Sequence, residues 1–157
     1  MKTLHLTFGT NAVISQLRKK NKNLKLIQLY PVSKDESDIL LALSAGETPF
    51  HGGISFKILS GTFLKKANYY FVFSYLTLNS DEQKIFVPLF EHSNNSNFIL
   101  ARSLNHNFNY LLLSAWPSQN AFLAWSNAGP LLFNQKYLKD SKYQAHTAVY
   151  QSKTNSF

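Results

Sequence analysis

The sequence has 157 residues and no cysteine, which excludes disulfide bonds, thiolate metal sites and a cysteine nucleophile. Apolar residues make up 45% of the chain and aromatic residues 15%, enough for a buried core in one compact domain or two small fused ones. No apolar run approaches the roughly 20 residues that cross a bilayer, so we expect a cytoplasmic protein that does not insert into membranes.

Residues 1–67 predict an N-terminal βαββ unit. The chain begins with alternating polar and apolar side chains, which is typical of a strand and not of a signal peptide. Thr10 is placed to cap the helix that follows. In chain order, the pattern predicts a strand, a helix and two strands: 2–8, 11–20, 24–30 and 38–44. Residues 49–67 fit a further strand and a short helix equally well.

Residues 68–157 predict a second unit, which has the ferredoxin-like order βαββαβ. Its predicted strands are 69–78, 98–104, 110–116 and 145–150, and its predicted helices begin at Ser80, Ser118 and Pro130. Ser80 and Gln83 have the spacing of a capping box. Pro88 predicts that the helix they open is kinked or ends early. The expected fold is therefore α+β, a ferredoxin-like domain with the N-terminal unit packed on it.

The junction Trp116-Pro-Ser-Gln-Asn-Ala-Phe-Leu-Ala-Trp125 resembles the signature of the antibiotic-biosynthesis-monooxygenase (ABM) superfamily: a strand ending in Trp, a capped helix, then a second Trp. Phe8-Gly9-Thr10, Gly46-Glu47-Thr48 and the stretch 54–61 precede it. In this order they resemble the TRAP family (target of RNAIII-activating protein), whose relatives include heme-degrading monooxygenases. The resemblance covers almost the whole chain. It implies a dimeric α+β barrel fold with a pocket between the sheet and the C-terminal helices.

In the heme-degrading branch, an Asn on the domain's first strand, a Trp, and an iron-ligating His about ten residues after that Trp carry the reaction. By resemblance, Trp125 matches the Trp, Ser74 falls at or beside the Asn position, and Gln135 falls at about the His position. Gln is a poor iron ligand, whereas the nearby Tyr137 could ligate as tyrosinate. The resemblance thus implies heme or a heme-like ligand, with Ser74, Trp125, Gln135 and Tyr137 as pocket candidates. It assigns no catalytic residue.

The formal net charge of +8 is concentrated in the first 66 residues, which hold ten Lys and Arg against four Asp and Glu. The densest run contains Arg18, Lys19, Lys20, Lys22 and Lys25. It could face an anionic partner such as nucleic acid, a membrane surface or a ligand carboxylate. We favour a solvated last helical turn, where cations also complement the helix dipole, because no nucleic-acid-binding motif accompanies the charge.

The remaining titratable residues predict no metal site. The histidines are scattered, with no pair at metal-ligand spacing: His5, His51, His92, His106 and His146. His146 falls in the last predicted strand, and the pattern leaves open which face it occupies. Asp and Glu are few and unpaired across the predicted pocket, which disfavours a carboxylate acid–base pair.

Three functions remain. The favoured one is an ABM-fold protein that binds an apolar or heme-like ligand, or acts in regulation or stress, without standard heme-degrading activity. The alternatives are an ABM-type monooxygenase with substituted active-site residues, and binding of an anionic surface or nucleic acid through the basic run. ABM domains usually pair through their sheets, so we expect a pseudo-dimeric monomer, in which the N-terminal unit covers the sheet, or a homodimer.

Overall fold

The computed structural model describes residues 2–91, 97–128 and 146–157, and these contain eight strands and three helices. In chain order the elements are β1 (Thr3–Gly9), α1 (Asn11–Lys20), β2 (Leu26–Pro31), β3 (Asp38–Ser44), β4 (Ile54–Gly61), β5 (Tyr70–Thr77), α2 (Ser80–Glu91), β6 (Phe98–Ser103), β7 (Asn109–Trp116), α3 (Gln119–Ala128) and β8 (His146–Gln151). The α+β class predicted from the sequence is confirmed.

The strands close into a barrel in the order β1-β3-β2-β8-β5-β7-β6-β4. Each half of the chain contributes four neighbouring strands, and in both halves the order is 4-1-3-2 when the strands are numbered within their own half. The halves meet at two antiparallel seams, β2 with β8 and β4 with β6. The barrel that two ferredoxin-like sheets would form in a dimer is therefore closed within a single chain.

Residues 49–67, which fitted a strand and a helix equally well, contain strand β4. This strand pairs with β1 on one side and with β6 of the other half on the opposite side. The N-terminal unit thus has a fourth strand beyond the predicted βαββ order, and it supplies half of the barrel. The division of the chain into units 1–67 and 68–157 remains a prediction.

Apolar side chains fill three clusters, one inside the barrel and two outside it. Successive residues of a strand point to opposite faces, so each strand serves the interior and one outer layer. The interior cluster includes Leu4, Leu6, Ile27, Leu29, Phe71, Phe73, Leu111 and Leu113. Outside, α1 covers the N-terminal half, and α2 and α3 cover the C-terminal half.

Two of the three predicted helix caps are confirmed. The Thr10 hydroxyl accepts from the Val13 amide at 3.3 Å, and the Ser118 hydroxyl accepts from the Ala121 amide at 3.1 Å. The predicted capping box of Ser80 and Gln83 is wrong by one residue.

The capping box of α2 is formed by Asn79 and Glu82. The Glu82 amide donates to Asn79 Oδ1 at 2.8 Å, and the Asn79 amide donates to Glu82 Oε1 at 3.1 Å. An Asn side chain is at least as good an N-cap as Ser, and its position one residue earlier starts the helix there. Gln83 Nε2 instead donates to the carbonyls of Leu78 and Asn107.

Pro88 does not end α2, which continues to Glu91. The alternative of a kink at Pro88 stays a prediction. The helix predicted over 131–138 lies outside the described residues. Among the described residues, no helix is long and apolar enough to cross a membrane.

His5 ties three strands of the N-terminal half together. Its ring lies 2.7 Å from Ser55 Oγ of β4 and 2.9 Å from Ser44 Oγ at the end of β3, and the residue is only 2% exposed. Burial lowers the pKa of His5, and the hydrogen bond to the Gly46 carbonyl opposes this only in part. The ring is therefore held in its neutral form.

We expect the free energy of unfolding to fall as the pH drops below the ordinary histidine pKa of about 6.5. The unfolded chain takes up a proton there while folded His5 does not, so this contribution is complete above that pH and is lost towards the lowered folded-state pKa. Urea unfolding at pH 7.5 and 5.5 measures the effect. The variant His5→Gln should show a smaller difference between the two pH values, and an unchanged difference would contradict the assignment.

Candidate functional site

The outer face of the C-terminal half is an aromatic layer between the sheet and helices α2 and α3. We call it the aromatic face; its rings are Phe86, Phe90, Phe98, Trp116, Phe122 and Trp125. Most neighbouring rings are tilted or edge-on, with centroids between 5.1 and 6.3 Å apart. These are the separations at which aromatic side chains attract each other.

The two tryptophans of the sequence signature meet on this face. Trp116 ends β7, is 8% exposed and donates from Nε1 to Ser114 Oγ at 2.9 Å. Ser118 caps α3, and the helix then brings Trp125 over the sheet. The Trp125 ring centroid lies 5.3 Å from that of Trp116 and 5.2 Å from that of Phe98. Trp116 is buried against the sheet, whereas Trp125 is half-buried at the margin of the aromatic face.

Ser74 points to the same side of the sheet as the tryptophans. Its neighbours Phe73 and Tyr75 belong to or pack against the barrel interior, so strand alternation turns Ser74 outward. The residue is 3% exposed and is paired with Leu112 of β7 and Thr147 of β8.

The strand register gives the distance between Ser74 and the rings. Val72, two residues before Ser74, is paired with Ser114, and Ser114 is paired with Phe98. Same-face residues of a strand are about 7 Å apart. Neighbouring strands are about 5 Å apart, and Phe98 lies two strands across from Val72. Ser74 is therefore about 12 Å from Phe98, one row along and two strands across, on the same side of the sheet.

The other two pocket candidates, Gln135 and Tyr137, lie outside the described residues, as does His92. Whether Gln135 and Tyr137 line one pocket with Ser74 and Trp125 stays a prediction. Sequence reasoning left Ser114 out of the site, although its hydroxyl orients Trp116. A serine two residues before the signature tryptophan is a weak signal in the sequence. It indicates a contact with Trp116 only once both residues are known to lie on one face of the same strand.

The described residues of the aromatic face include no histidine, and the tyrosines of the same cluster are Tyr70 and Tyr110. His5 and His51 belong to the N-terminal half, His106 lies between β6 and β7, and His146 lies at one end of the barrel. No group of three His, Cys, Asp or Glu side chains in the described part of the chain could hold a metal ion.

One end of the barrel holds a cavity of about 370 Å³ lined by Phe8, Glu36, Ser37, Tyr75, His146, Ala148 and Tyr150. His146 stacks on Tyr75 with centroids 6.0 Å apart, so it faces this end of the barrel and not the aromatic face. The Tyr75 hydroxyl is buried and has no hydrogen-bond partner among the described residues. Burial raises the pKa of Tyr75, and burial together with the Glu36 carboxylate raises the pKa of Tyr150 to about 12. Both phenols are therefore neutral at physiological pH.

The basic run of the sequence divides in the structure. Arg18 Nη1 donates to the Asn155 carbonyl at 2.8 Å and to Gln28 Oε1 at 3.3 Å, and so holds the C-terminal segment. Lys22 and Lys25 line a cavity at the opposite end of the barrel from Tyr75, whereas Lys19 and Lys20 are exposed and line neither cavity at that end.

No model of a known protein family matches the chain, and no curated protein matches it. Solved structures do. A monooxygenase-like protein from Listeria innocua aligns over 98% of this chain and 95% of its own, with a TM-score of 0.80 and 25% identity. A ferredoxin-fold protein from Listeria monocytogenes, related to antibiotic biosynthesis monooxygenases, aligns over 97% and 94%, with a TM-score of 0.78 and 24% identity.

Two further structures match over nearly the full length at lower identity. A major regulator of staphylococcal pathogenesis aligns over 96% of this chain and 98% of its own, with a TM-score of 0.73 and 16% identity. A heme-degrading enzyme from Listeria monocytogenes aligns over 96% and 99%, with a TM-score of 0.72 and 21% identity. The resemblance seen in the sequence is thereby confirmed at the level of the fold: the chain has the ferredoxin-like α+β fold of these structures, with its eight strands closed into one barrel.

Proposed function

We propose that the protein binds an apolar, ring-shaped or heme-like ligand on its aromatic face and does not carry out standard heme degradation. The observation that carries this proposal is the position of Ser74, which is buried on the same side of the sheet as Trp116 and Trp125. In the heme-degrading branch that the sequence resembles, an asparagine at or beside this position hydrogen-bonds near the iron-bound oxygen. The serine hydroxyl is shorter and lacks the amide.

The aromatic face supports ligand binding because three of its large, uncharged rings are only partly covered. Phe90, Phe122 and Trp125 are half-buried, while Phe86, Phe98 and Trp116 lie buried beneath them. Covering such rings with a planar apolar ligand removes them from water, which is the main source of affinity in apolar sites. The similarity to a heme-degrading enzyme makes heme itself a suitable first ligand to test.

Titrating hemin into the pure protein tests the proposal. We expect a saturable change in the Soret absorbance. After a reductant and oxygen are added, the Soret band should decay no faster than that of hemin bound to a protein without this fold. Rapid loss of the band with release of iron would overturn the non-enzymatic reading. Absence of saturable hemin binding would overturn the proposal that the ligand is heme-like.

A matched pair of variants separates the effect of the missing side-chain amide from the effect of the missing iron-ligating histidine. The variant Ser74→Asn restores only the amide, whereas Ser74→Asn combined with Gln135→His also restores the imidazole that the resemblance implies. We expect the double variant alone to show the Soret shift of a histidine-ligated heme. The Soret position of a histidine-ligated heme in the wild-type protein, or in Ser74→Asn by itself, would mean that another side chain ligates the iron.

The alternative is oxygenation of a bound aromatic substrate, and the similarity to a monooxygenase-like protein favours it over other enzymatic functions. Ser74 is a described polar group that could take part, since it is buried on the same side of the sheet as the tryptophans. Substrate-dependent oxygen consumption that is lost in Ser74→Ala would support this alternative. The likeness to a staphylococcal regulator instead supports a regulatory use of a bound ligand.

A further inference from the structure

Two cavities adjoin at the end of the barrel where β1 and β2 begin. The first, about 320 Å³, is lined by Arg18, Lys22, Leu24, Lys25, Leu26, Ile27, Lys65 and Phe157. The second, about 350 Å³, is lined by Lys2, Lys25, Ile27, Leu43, Ser44, Ala45, Ile58, Gly61, Thr62, Phe63 and Lys65. The two cavities share Lys25, Ile27 and Lys65, so they lie side by side, and we call the two together the basic end.

The basic end collects positive charge. No Asp or Glu among the described residues lines it. Its lining contains five cationic side chains from separate parts of the chain: Lys2, Arg18, Lys22, Lys25 and Lys65. All four lysines are exposed, so each ammonium group is free to turn towards a ligand. Such a cluster is repulsive by itself and becomes favourable when an anion binds to it.

The second cavity is apolar beneath its rim. Leu43, Ile58 and Phe63 are half-buried and pack against the interior cluster of the barrel, which includes Ile27. Phe63 stacks on Phe71 with centroids 5.2 Å apart and planes 4° apart, which fixes one wall. A ligand that entered here would lie against the barrel core and would pass Lys25 and Lys65 at the entrance.

We propose that the basic end binds a free single-chain amphiphilic anion, such as a medium- or long-chain carboxylate. Its head group would lie between Lys25 and Lys65, and its hydrocarbon chain would lie in the second cavity against Leu43, Ile58 and Phe63. This site goes beyond the proposed function, because it lies at the end of the barrel and shares no residue with the aromatic face.

Nucleic acid suits this geometry poorly. Duplexes and single strands bind along open basic grooves, and single strands also stack their bases on exposed aromatic rings. Here the cations surround two adjoining depressions of a few hundred cubic ångströms each, and Phe63 is already stacked on Phe71. Lys19 and Lys20, two exposed lysines of the same run, line neither cavity.

The first test is calorimetric titration of the full chain with octanoate, decanoate and dodecanoate, all below their micellar concentrations. Each buried methylene should raise the affinity about threefold to fourfold. The variant Lys25→Gln combined with Lys65→Gln should weaken dodecanoate binding at least about fivefold, since it removes both charge-assisted contacts. The matched control, Lys19→Gln combined with Lys20→Gln, changes the net charge equally and should alter the affinity less than about twofold.

A second variant tests the cavity itself. Ala45 is exposed and lines the second cavity, so Ala45→Trp should fold normally while filling the space for the chain. We expect it to abolish the gain in affinity from octanoate to dodecanoate. Circular dichroism and urea unfolding confirm that each variant is folded before its affinity is compared.

Four results would overturn the proposal. Equal binding of dodecanol and dodecanoate would show that the cations do not take part, and binding of anionic vesicles without binding of monomeric dodecanoate would indicate a membrane surface. RNA binding to which Lys19 and Lys20 contribute as much as Lys25 and Lys65 would favour nucleic acid. No heat of binding, together with no change in tryptophan or tyrosine fluorescence at millimolar dodecanoate, would exclude the site.

Discussion

Replacing Gly61 by alanine is expected to destabilise the folded protein by about 3 kcal/mol or more. Gly61 has a φ of 91°, a left-handed conformation that L-residues rarely adopt. A Cβ atom built there would lie 1.9 Å from the Phe98 carbonyl oxygen. That oxygen is backbone of β6, so it cannot rotate away, and strands β4 and β6 would have to separate. Their seam joins the two halves of the barrel.

The sequence provides matched controls for this prediction. Gly52 has a φ of 83° with nothing within 4 Å of an added Cβ, so Gly52→Ala should show only the backbone strain of about 1–2 kcal/mol. Gly46 has neither a left-handed φ nor a neighbour within 4 Å, and Gly46→Ala should be near neutral. Urea unfolding of the three variants gives the order. If Gly61→Ala lost no more stability than Gly52→Ala, the close approach of β4 and β6 would be wrong.

The strand that carries Gly61 is the part of the fold that the sequence left open, and the reason is physical. Strand β5 (Tyr70–Thr77) is almost continuously buried, and an apolar run of that length indicates a strand without knowledge of its neighbours. Strand β4 (Ile54–Gly61) is mostly half-exposed, and its register shifts between Ile58 and Ser60. Its strand character comes from pairing with two distant strands, and a local pattern does not contain that pairing.

Some residues of the candidate sites could be predicted from the sequence, and others depend on contacts between distant segments. Trp125 and Ser74 were predicted because the resemblance aligns them with functional positions. Strand alternation turns Ser74 to the outer side of the sheet, and helix α3 brings Trp125 over that same side. Lys65 was not predicted to join the basic run, because it follows Lys25 by forty positions and meets it only through closure of the barrel. The one-residue error in the predicted cap of α2 has a local cause. Asn79 and Ser80 are both good caps, and only the reach of Glu82 decides between them.

The two signature tryptophans are expected to separate stability from ligand binding. Trp116→Ala should cost about 3–5 kcal/mol of unfolding free energy, because it empties the floor of the aromatic face and leaves the Ser114 hydroxyl without its donor. Trp125→Ala should cost less, about 1–2 kcal/mol, because its ring is half-buried and α3 remains capped by Ser118. Urea unfolding compares the two values directly.

Trp125→Ala, the variant with the smaller loss of stability, should have the clear effect on hemin affinity. Trp125→Ala should weaken hemin binding at least about tenfold, since the lost stacking and apolar area exceed about 1.4 kcal/mol. Leu123→Ala is the control on the same helix: its side chain is 45% exposed and lies outside the aromatic cluster, so neither stability nor affinity should change appreciably. If Trp125→Ala bound hemin as tightly as the wild-type protein, both tryptophans would be structural. The signature would then specify only how a helix packs on its sheet, and the ligand site would have to be sought elsewhere on the barrel.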